Sequence, residues 1–254
     1  MMNKNELYER LYDLLAAENN CRPEDFTSAK TTLTTPAKNE KSRKFSPEPS
    51  FFHLATTGSS TVICADERVH GELEKLISTV SEPRRLLEHN YLRQIDKILE
   101  PYGFQLFTTH HMRLPVGEMK KIPHSLTLKW RREGEFSEFY GMGEFPNALN
   151  PTENLDRPDV LAVMAYEDGK IIGMAGCSAD APDWWQIGID VKSDYRSRGI
   201  GAALVAELRD EILRRGKIPY YGTGLSNIHS QRIALKCGFL PVWIDLDSEK
   251  IPEN

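Results

Sequence analysis

The strongest constraint on the fold is a short stretch in which a β-strand ends and a helix begins. Apolar residues alternate up to Val191, a segment with two arginines and two glycines follows, and an amphipathic helix is predicted over 200–215. The first turn of a helix presents backbone N–H groups that have no partner inside the helix, at the positive end of its dipole. Because glycine carries no side chain, Gly199 and Gly201 would let a ligand approach this backbone. The stretch therefore predicts a binding site for a phosphate.

A second segment of interest begins at Asn227, 26 residues after Gly201. It reads Asn-Ile-His-Ser-Gln-Arg, enters a predicted helix over 230–237 and ends at Gly238-Phe239. Together the two segments indicate a coenzyme with a pyrophosphate and an extended arm.

The sequence does not match two other known types of phosphate-binding turn. A dinucleotide-binding turn needs a third glycine where Leu204 stands, and an acidic residue after the next strand, where Tyr220 and Tyr221 stand. A Walker-type loop needs Gly-Lys-Ser/Thr, which the sequence lacks. Taken alone, the motif leaves one alternative, a structural turn with surface arginines.

Length and composition narrow the class of protein. The 254 residues can form one large domain or two small ones. A net charge of −5 argues against nucleic acid as the main partner. No apolar run approaches the roughly 18 residues of a membrane span, and the first twenty residues or so lack the core of a signal peptide. The four cysteines form no C-x-x-C pair, so we expect reduced thiols in a cytoplasmic protein, without a zinc site.

The pattern along the chain predicts two domains. We expect a smaller N-terminal α/β domain over 1–113, a linker over 114–125 and a second domain over 126–254. The first domain is predicted to have helices at 5–17, 66–77 and 89–99, strands at 51–56, 61–65 and 102–111, and a surface loop at 36–50. The second is predicted to have helices at 133–140, 200–215 and 230–237, and strands at 160–166, 171–177, 184–191, 218–222 and 241–246.

The order of these parts resembles the acetyl-CoA-dependent N-acetyltransferase superfamily, usually abbreviated GNAT. The resemblance covers roughly 126–246 and is strongest from Trp185 to Trp243. It implies an α/β (α+β) fold in which helices flank a mixed β-sheet, splayed between the family's fourth and fifth strands. The smaller N-terminal α/β domain is additional to that fold.

The resemblance also implies where the coenzyme binds. Arg196, Gly199 and Gly201 match the family's pyrophosphate-binding signature, and Asn227, Ser230 and Gly238-Phe239 match its second coenzyme-binding segment. The pantetheine arm would pair with strand backbone, and the N–H of Ile189 would face the thioester carbonyl. The residues expected at the coenzyme are Ile189, Val191, Arg196, Ser197, Arg198, Gly199, Ile200, Gly201, Ala202, Asn227 and Ser230.

The sequence departs from the family at the catalytic acid and base. A tyrosine found in many members seven residues after the asparagine is replaced by Ala234, and a glutamate found in some members would lie close to Trp185. Asp190 becomes the candidate base because it lies in the strand nearest the thioester. Asp180 and Asp183, in the preceding loop, are alternatives, and each of these carboxylates could instead be structural.

These observations predict an enzyme that moves an acetyl group from acetyl-CoA to an amine by direct attack in a ternary complex, without a metal. A non-catalytic acyl-CoA-binding sensor or regulatory module is the alternative, which the missing tyrosine and glutamate keep open. The acceptor is left open among a small amine, an antibiotic, a peptide amino terminus and a lysine. We expect no nucleic-acid or membrane partner and leave a homodimer open. The N-terminal domain would either supply part of the acceptor site or only cover apolar surface and mediate association.

Overall fold

The computed structural model describes residues 3–46 and 48–252, which divide into two compact units. One unit consists of Arg43–Phe45 and Arg113–Pro241. The other consists of the residues before Arg43, of Ser46–Met112 and of the residues from Val242 onwards. The grouping thus changes close to the expected boundary at residue 113, but the last strand groups with the N-terminal part of the chain.

The helices and strands are numbered in chain order. The helices are α1 (Lys4–Glu18), α2 (His70–Ser78), α3 (His89–Leu99), α4 (Ile200–Arg214) and α5 (Ile228–Lys236). The strands are β1 (Thr31–Thr34), β2 (Phe52–Thr56), β3 (Thr61–Ala65), β4 (Phe104–Leu114), β5 (Thr127–Arg132), β6 (Asp159–Glu167), β7 (Lys170–Ala181), β8 (Trp184–Val191), β9 (Ile218–Gly224) and β10 (Leu240–Lys250).

The unit that contains 113–241 is built on a mixed sheet with the strand order β9-β8-β7-β6-β5. Strands β5 to β8 are antiparallel neighbours, whereas β8 and β9 run parallel. Helix α4 covers one face, because Leu204, Leu208 and Ile212 share a buried cluster with residues of β6, β7 and β8. This is the mixed α/β arrangement of sheet and helices that the resemblance implied.

Strands β8 and β9 pair only at their beginnings within the part of the chain that the structure describes. The pairs run from Trp184 with Ile218 to Gln186 with Tyr220. Strand β8 then continues to Val191 and β9 to Gly224. The sheet therefore opens after Gln186, at the place where the resemblance implied a splay.

The helix expected over 133–140 is wrong, because these residues form turns. Gly134, Gly141 and Gly143 have φ angles of 81°, 78° and 66°, a left-handed conformation that interrupts a helix. Aromatic side chains hold this segment in place. Phe136 and Phe145 are buried in a cluster with apolar residues of β6 and β7, so they anchor an irregular segment to the sheet.

The other unit contains strands in the order β1-β3-β2-β10-β4. The expected hairpin of β2 and β3 is confirmed, and β10 pairs antiparallel with β2. That pairing explains why the chain beyond Val242 belongs to this unit. Helices α2 and α3 supply Leu73 and Ile95 to a core shared with Leu54 and Ile63 of the sheet.

The remaining expected elements are confirmed, with ends shifted by a few residues. Two strands were not expected, β1 and β5. Each lies at the end of the strand order in its unit, and each lacks a buried residue. An edge strand of this kind carries little of the apolar alternation by which a strand is recognised in a sequence.

Candidate active site

The turn between β8 and α4 is short, exposed and strained at one residue. Ser197 and Gly199 have φ angles of 64° and 81°, so both are left-handed, and Gly199 directly precedes the helix. Nε of Arg196 donates to the carbonyl oxygen of Val191 at 3.0 Å, and Nη2 of Arg198 donates to that of Asp194 at 3.1 Å. Residues 196–199 are all exposed. The turn that leads into α4 is therefore exposed and carries two arginines, which suits an anion.

The two glycines of this turn have different roles. A Cβ built on Gly199 would meet nothing within 4 Å, in keeping with a turn that needs glycine for its backbone angles. A Cβ on Gly201 would lie 3.0 Å from Ile233 and 3.5 Å from Val191. The expectation that Gly201 clears space for a ligand stays a prediction, and the structure shows a packing role beside it. Its missing side chain lets α4 pack closely on α5 and β8.

The second expected segment lies beside the first. Ile233 of α5 approaches Gly201, and Sγ of Cys237 lies 3.3 Å from the carbonyl oxygen of Ala202, so the structure brings the two segments together. Asn227 caps α5, because its Oδ1 accepts the backbone N–H of Ser230 at 3.1 Å. A role of Asn227 at the coenzyme stays a prediction.

Strand β9 contributes a buried tyrosine next to this segment. The hydroxyl of Tyr221 lies 2.8 Å from Oγ of Ser230. Burial raises the pKa of Tyr221 to about 12, although its hydrogen bond to Ser230 lowers it. The phenol is therefore held protonated near the start of α5. In the sequence, Tyr221 had served only to exclude a dinucleotide-binding turn.

The two faces of β8 carry different neighbours. Ile189 and Val191 lie on the face covered by α4, where Gly201 approaches both side chains. Because side chains alternate along a strand, Gly188 and Asp190 lie on the opposite face. The candidate base is therefore on the side of the sheet away from α4.

The carboxylate of Asp190 is occupied by a neighbouring segment. Its Oδ2 accepts the backbone N–H groups of Asn147 and Ala148 at 2.7 and 2.9 Å, and its Oδ1 accepts Nδ2 of Asn147 at 2.6 Å. These bonds stabilise the charged carboxylate and tie it to the segment before β6. The base role of Asp190 stays a prediction, and the geometry offers it a second role.

The alternative carboxylates have structural partners. Asp180 is fully buried, accepts the hydroxyls of Ser178 at 2.6 Å and of Tyr220, and lies 3.6 Å from Nε of Arg157. Burial raises the pKa of Asp180, and these partners oppose the shift. Asp183 forms an ion pair with Lys217 at 2.9 Å. Both residues thus have contacts that would explain their presence without catalysis.

Sequence reasoning missed Arg113. This side chain is buried, and its Nη1 donates to Oγ1 of Thr223 at 2.6 Å, on the part of β9 beyond its last pair with β8. Burial lowers the pKa of the guanidinium. A lone arginine at the end of a strand gives little signal in a sequence, because most such residues are exposed.

Over residues 3–46 and 48–252, no three side chains of His, Cys, Asp or Glu are grouped so that they could hold a metal ion. None of the described helices is both long and apolar enough to cross a bilayer.

Three solved structures are similar to this chain at low sequence identity. A GCN5-related N-acetyltransferase-like protein from Streptococcus suis is 19% identical, with a TM-score of 0.48 over 74% of this chain and 79% of that protein. A GCN5-related N-acetyltransferase from Kribbella flavida is 17% identical, with a TM-score of 0.46 over 62% of this chain and 63% of that one. A Drosophila protein is 11% identical, with a TM-score of 0.46 over 98% and 89%. This chain therefore spans less than two thirds of the Kribbella protein. No curated protein matches this chain.

Residues 124–239 match the model of the acetyltransferase (GNAT) family. The match includes β8, the turn before α4 and the whole of α5. Residues 124–239 therefore form a domain of the acetyltransferase (GNAT) family.

Proposed function

We propose that this domain transfers an acetyl group from acetyl-CoA to an amine acceptor, by direct attack in a ternary complex. The observation that supports this most is the opening between β8 and β9, after which β8 leads into the exposed turn before α4. An opened sheet leaves strand backbone able to pair with an amide-containing arm. The helix start supplies N–H groups for a pyrophosphate.

The residues that would hold the coenzyme fit its chemistry. Arg196 and Arg198 place two positive charges at the turn, and Gly199 leaves the backbone there uncovered. Asn227 and Ser230 would contact the coenzyme from the start of α5. When bound, acetyl-CoA supplies an acetyl thioester, which is the activated acyl group.

The chain's own contribution to the chemistry would be orientation and polarisation. The backbone N–H of Ile189 would donate to the thioester carbonyl and favour negative charge on its oxygen. Holding both substrates in one cleft supplies a further part of the rate. The amine must be neutral to attack, so Asp190 or a chain of water molecules would take its proton.

A thiol-release assay tests this proposal. The protein would be mixed with acetyl-CoA and a panel consisting of phenethylamine, an aminoglycoside, a peptide with a free amino terminus and a lysine peptide. We expect free CoA to appear with at least one amine. A sensor or regulatory module would instead bind CoA, detected by thermal shift, and release none.

We also propose a cytoplasmic location. The structure leaves all four cysteines free, and three of them are buried. Free buried thiols suit a reducing compartment. A homodimer stays a prediction.

A further inference from the structure

A short segment before β6 lies directly on the sheet, on the face of β8 away from α4. Gly176 of β7 and Gly188 of β8 are register partners, so their Cα atoms stand side by side. A Cβ on Gly188 would overlap the carbonyl oxygen of Asn147, and a Cβ on Gly176 would overlap that of Ala148. Two paired glycines thus form a notch into which the backbone of 147–148 fits.

Apolar side chains fasten both ends of this segment. Phe145, Ala148 and Leu149 are buried in a cluster with Met164 of β6 and Met174 of β7. The segment Phe145–Leu149 therefore covers the sheet in the way that a helix would, although no helix forms there.

Asp190 supplies the polar half of the attachment. It lies two residues after Gly188 and accepts three hydrogen bonds from Asn147 and Ala148, of 2.6 to 2.9 Å. Two of these come from backbone N–H groups, and that of Ala148 also lies 3.2 Å from the carbonyl oxygen of Phe145, so the N–H of Asn147 depends most on Asp190. A charged acceptor makes such bonds short and strong.

The segment has a definite position relative to the proposed chemistry. Helix α4 and its anion-binding turn lie on the face of Ile189 and Val191, and the segment lies on the face of Gly188 and Asp190. If the coenzyme occupies the opening from the α4 side, the amine must reach the thioester from the side that it leaves free. The segment lies across that side, one residue away from Ile189.

We propose that Asp190 is a positioning residue that holds Phe145–Leu149 in place as a wall of the acceptor site. The proposal rests on the proposed function, since it assigns this segment to the second substrate. It also replaces the base role of Asp190, because the carboxylate is engaged with the segment. The required proton acceptor would then be water or another group.

Two substitutions of Asp190 separate positioning from base catalysis. Asp190→Asn keeps an amide oxygen that can accept both backbone N–H groups, and Asn147 can rotate its own amide to match. Asp190→Ala removes the carboxylate acceptor and leaves the N–H of Ala148 only the carbonyl oxygen of Phe145. A positioning role predicts that Asp190→Asn retains turnover within about threefold, whereas Asp190→Ala raises the KM of the acceptor about tenfold. The affinity for CoA should change less than twofold in both, while Asp156→Ala, which removes an exposed carboxylate, should match the wild type.

Amide hydrogen exchange gives a readout that does not depend on activity. The N–H of Asn147, which donates to Asp190, should exchange about tenfold faster or more in Asp190→Ala than in the wild type or in Asp190→Asn. Gly188→Ala, whose Cβ would displace the same segment, should show a similar acceleration. Gly188→Ala also tests the position of the segment if Asp190→Ala does not fold.

Three results would overturn the proposal. Equal loss of turnover in Asp190→Asn and Asp190→Ala, steepest at low pH, would make Asp190 the base. Unchanged exchange at Asn147 in Asp190→Ala and Gly188→Ala would remove the positioning role. If the wild type releases no CoA with any amine of the panel, the proposed function fails and the acceptor wall with it, whereas the exchange result still decides whether Asp190 holds the segment.

Discussion

Nε2 of His53 lies 3.6 Å from Oδ1 of Asp245, in the interior of the unit that contains β2 and β10. The other ring nitrogen, Nδ1, lies 2.8 Å from Oδ1 of Asn19, whose Nδ2 already donates to Leu15. Because both ring nitrogens face acceptor oxygens, the imidazole fits its protonated form. Burial by itself lowers the pKa of His53, but the charge of Asp247 and the hydrogen bond to Asp245 outweigh it and raise the pKa to about 9.

This relationship predicts a loss of stability at alkaline pH. The pKa of His53 is raised in the folded state from an ordinary value of 6.5, so its contribution is complete below 6.5 and is lost as the pH rises through about 9. The free energy of unfolding should fall over this range by up to about 3 kcal/mol. Chemical denaturation at a series of pH values measures this free energy of unfolding. His53→Gln should flatten the profile, while the exposed His89→Gln should leave it unchanged.

Gly201→Ala tests the packing of α4. The new Cβ would lie 3.0 Å from Cδ1 of Ile233, so the end of this side chain must move to make room. Overpacking of this kind costs about 1–3 kcal/mol. Thermal or chemical unfolding should show the loss, and Gly201→Glu should be less stable still because it adds a carboxylate at a buried position. Wild-type stability in both variants would contradict the packing role.

Arg198→Glu tests the anion site with little effect on the fold. Arg198 is exposed, and its one described hydrogen bond is to a neighbouring carbonyl oxygen. Reversing its charge beside the expected pyrophosphate should weaken CoA binding about tenfold or more, while the midpoint of unfolding stays the same. Calorimetric titration with CoA measures the affinity. Arg93→Glu, an exposed charge reversal on α3, is the control, and equal affinities in both variants would argue against a pyrophosphate at this turn.

Asn227→Asp separates capping from coenzyme binding. Aspartate caps a helix as well as asparagine does, so the N–H of Ser230 keeps its acceptor and stability is retained. The added negative charge should still lower CoA affinity if Asn227 lies at the phosphates. Asn227→Ala should instead lose about 1 kcal/mol of stability as well. If Asn227→Asp binds CoA like the wild type, Asn227 is a cap alone.

Local chemistry explains the elements that were predictable. The start of α4 could be placed from two local features. Gly199 permits the left-handed φ angle directly before the helix, and the apolar residues that follow recur with helical spacing. The hairpin of β2 and β3 could be placed because two β-rich runs flank Gly58-Ser59-Ser60. In both cases the deciding residues are neighbours along the chain.

Where local spacing had two explanations, the expectation at 133–140 was wrong. The spacing of Phe136, Phe139 and Tyr140 is that of one helical face. In the structure, these side chains pack against the sheet from a segment that is not helical. The glycines at 134 and 141 adopt left-handed angles that a helix does not use. A pattern of apolar residues indicates which side chains are buried. The surface that these side chains pack against decides whether the backbone forms a helix or an irregular segment.

The sequence by itself determined the strand-turn-helix with its arginines and glycines, the cap at Asn227 and the resemblance to a family, because each depends on residues close together in the chain. Tertiary structure alone decided that Asp190 meets Asn147, that Gly201 serves α5, and that β10 pairs with β2. These contacts join residues far apart in the chain. They depend on which faces of the sheet are covered and by what, and no local pattern carries that information.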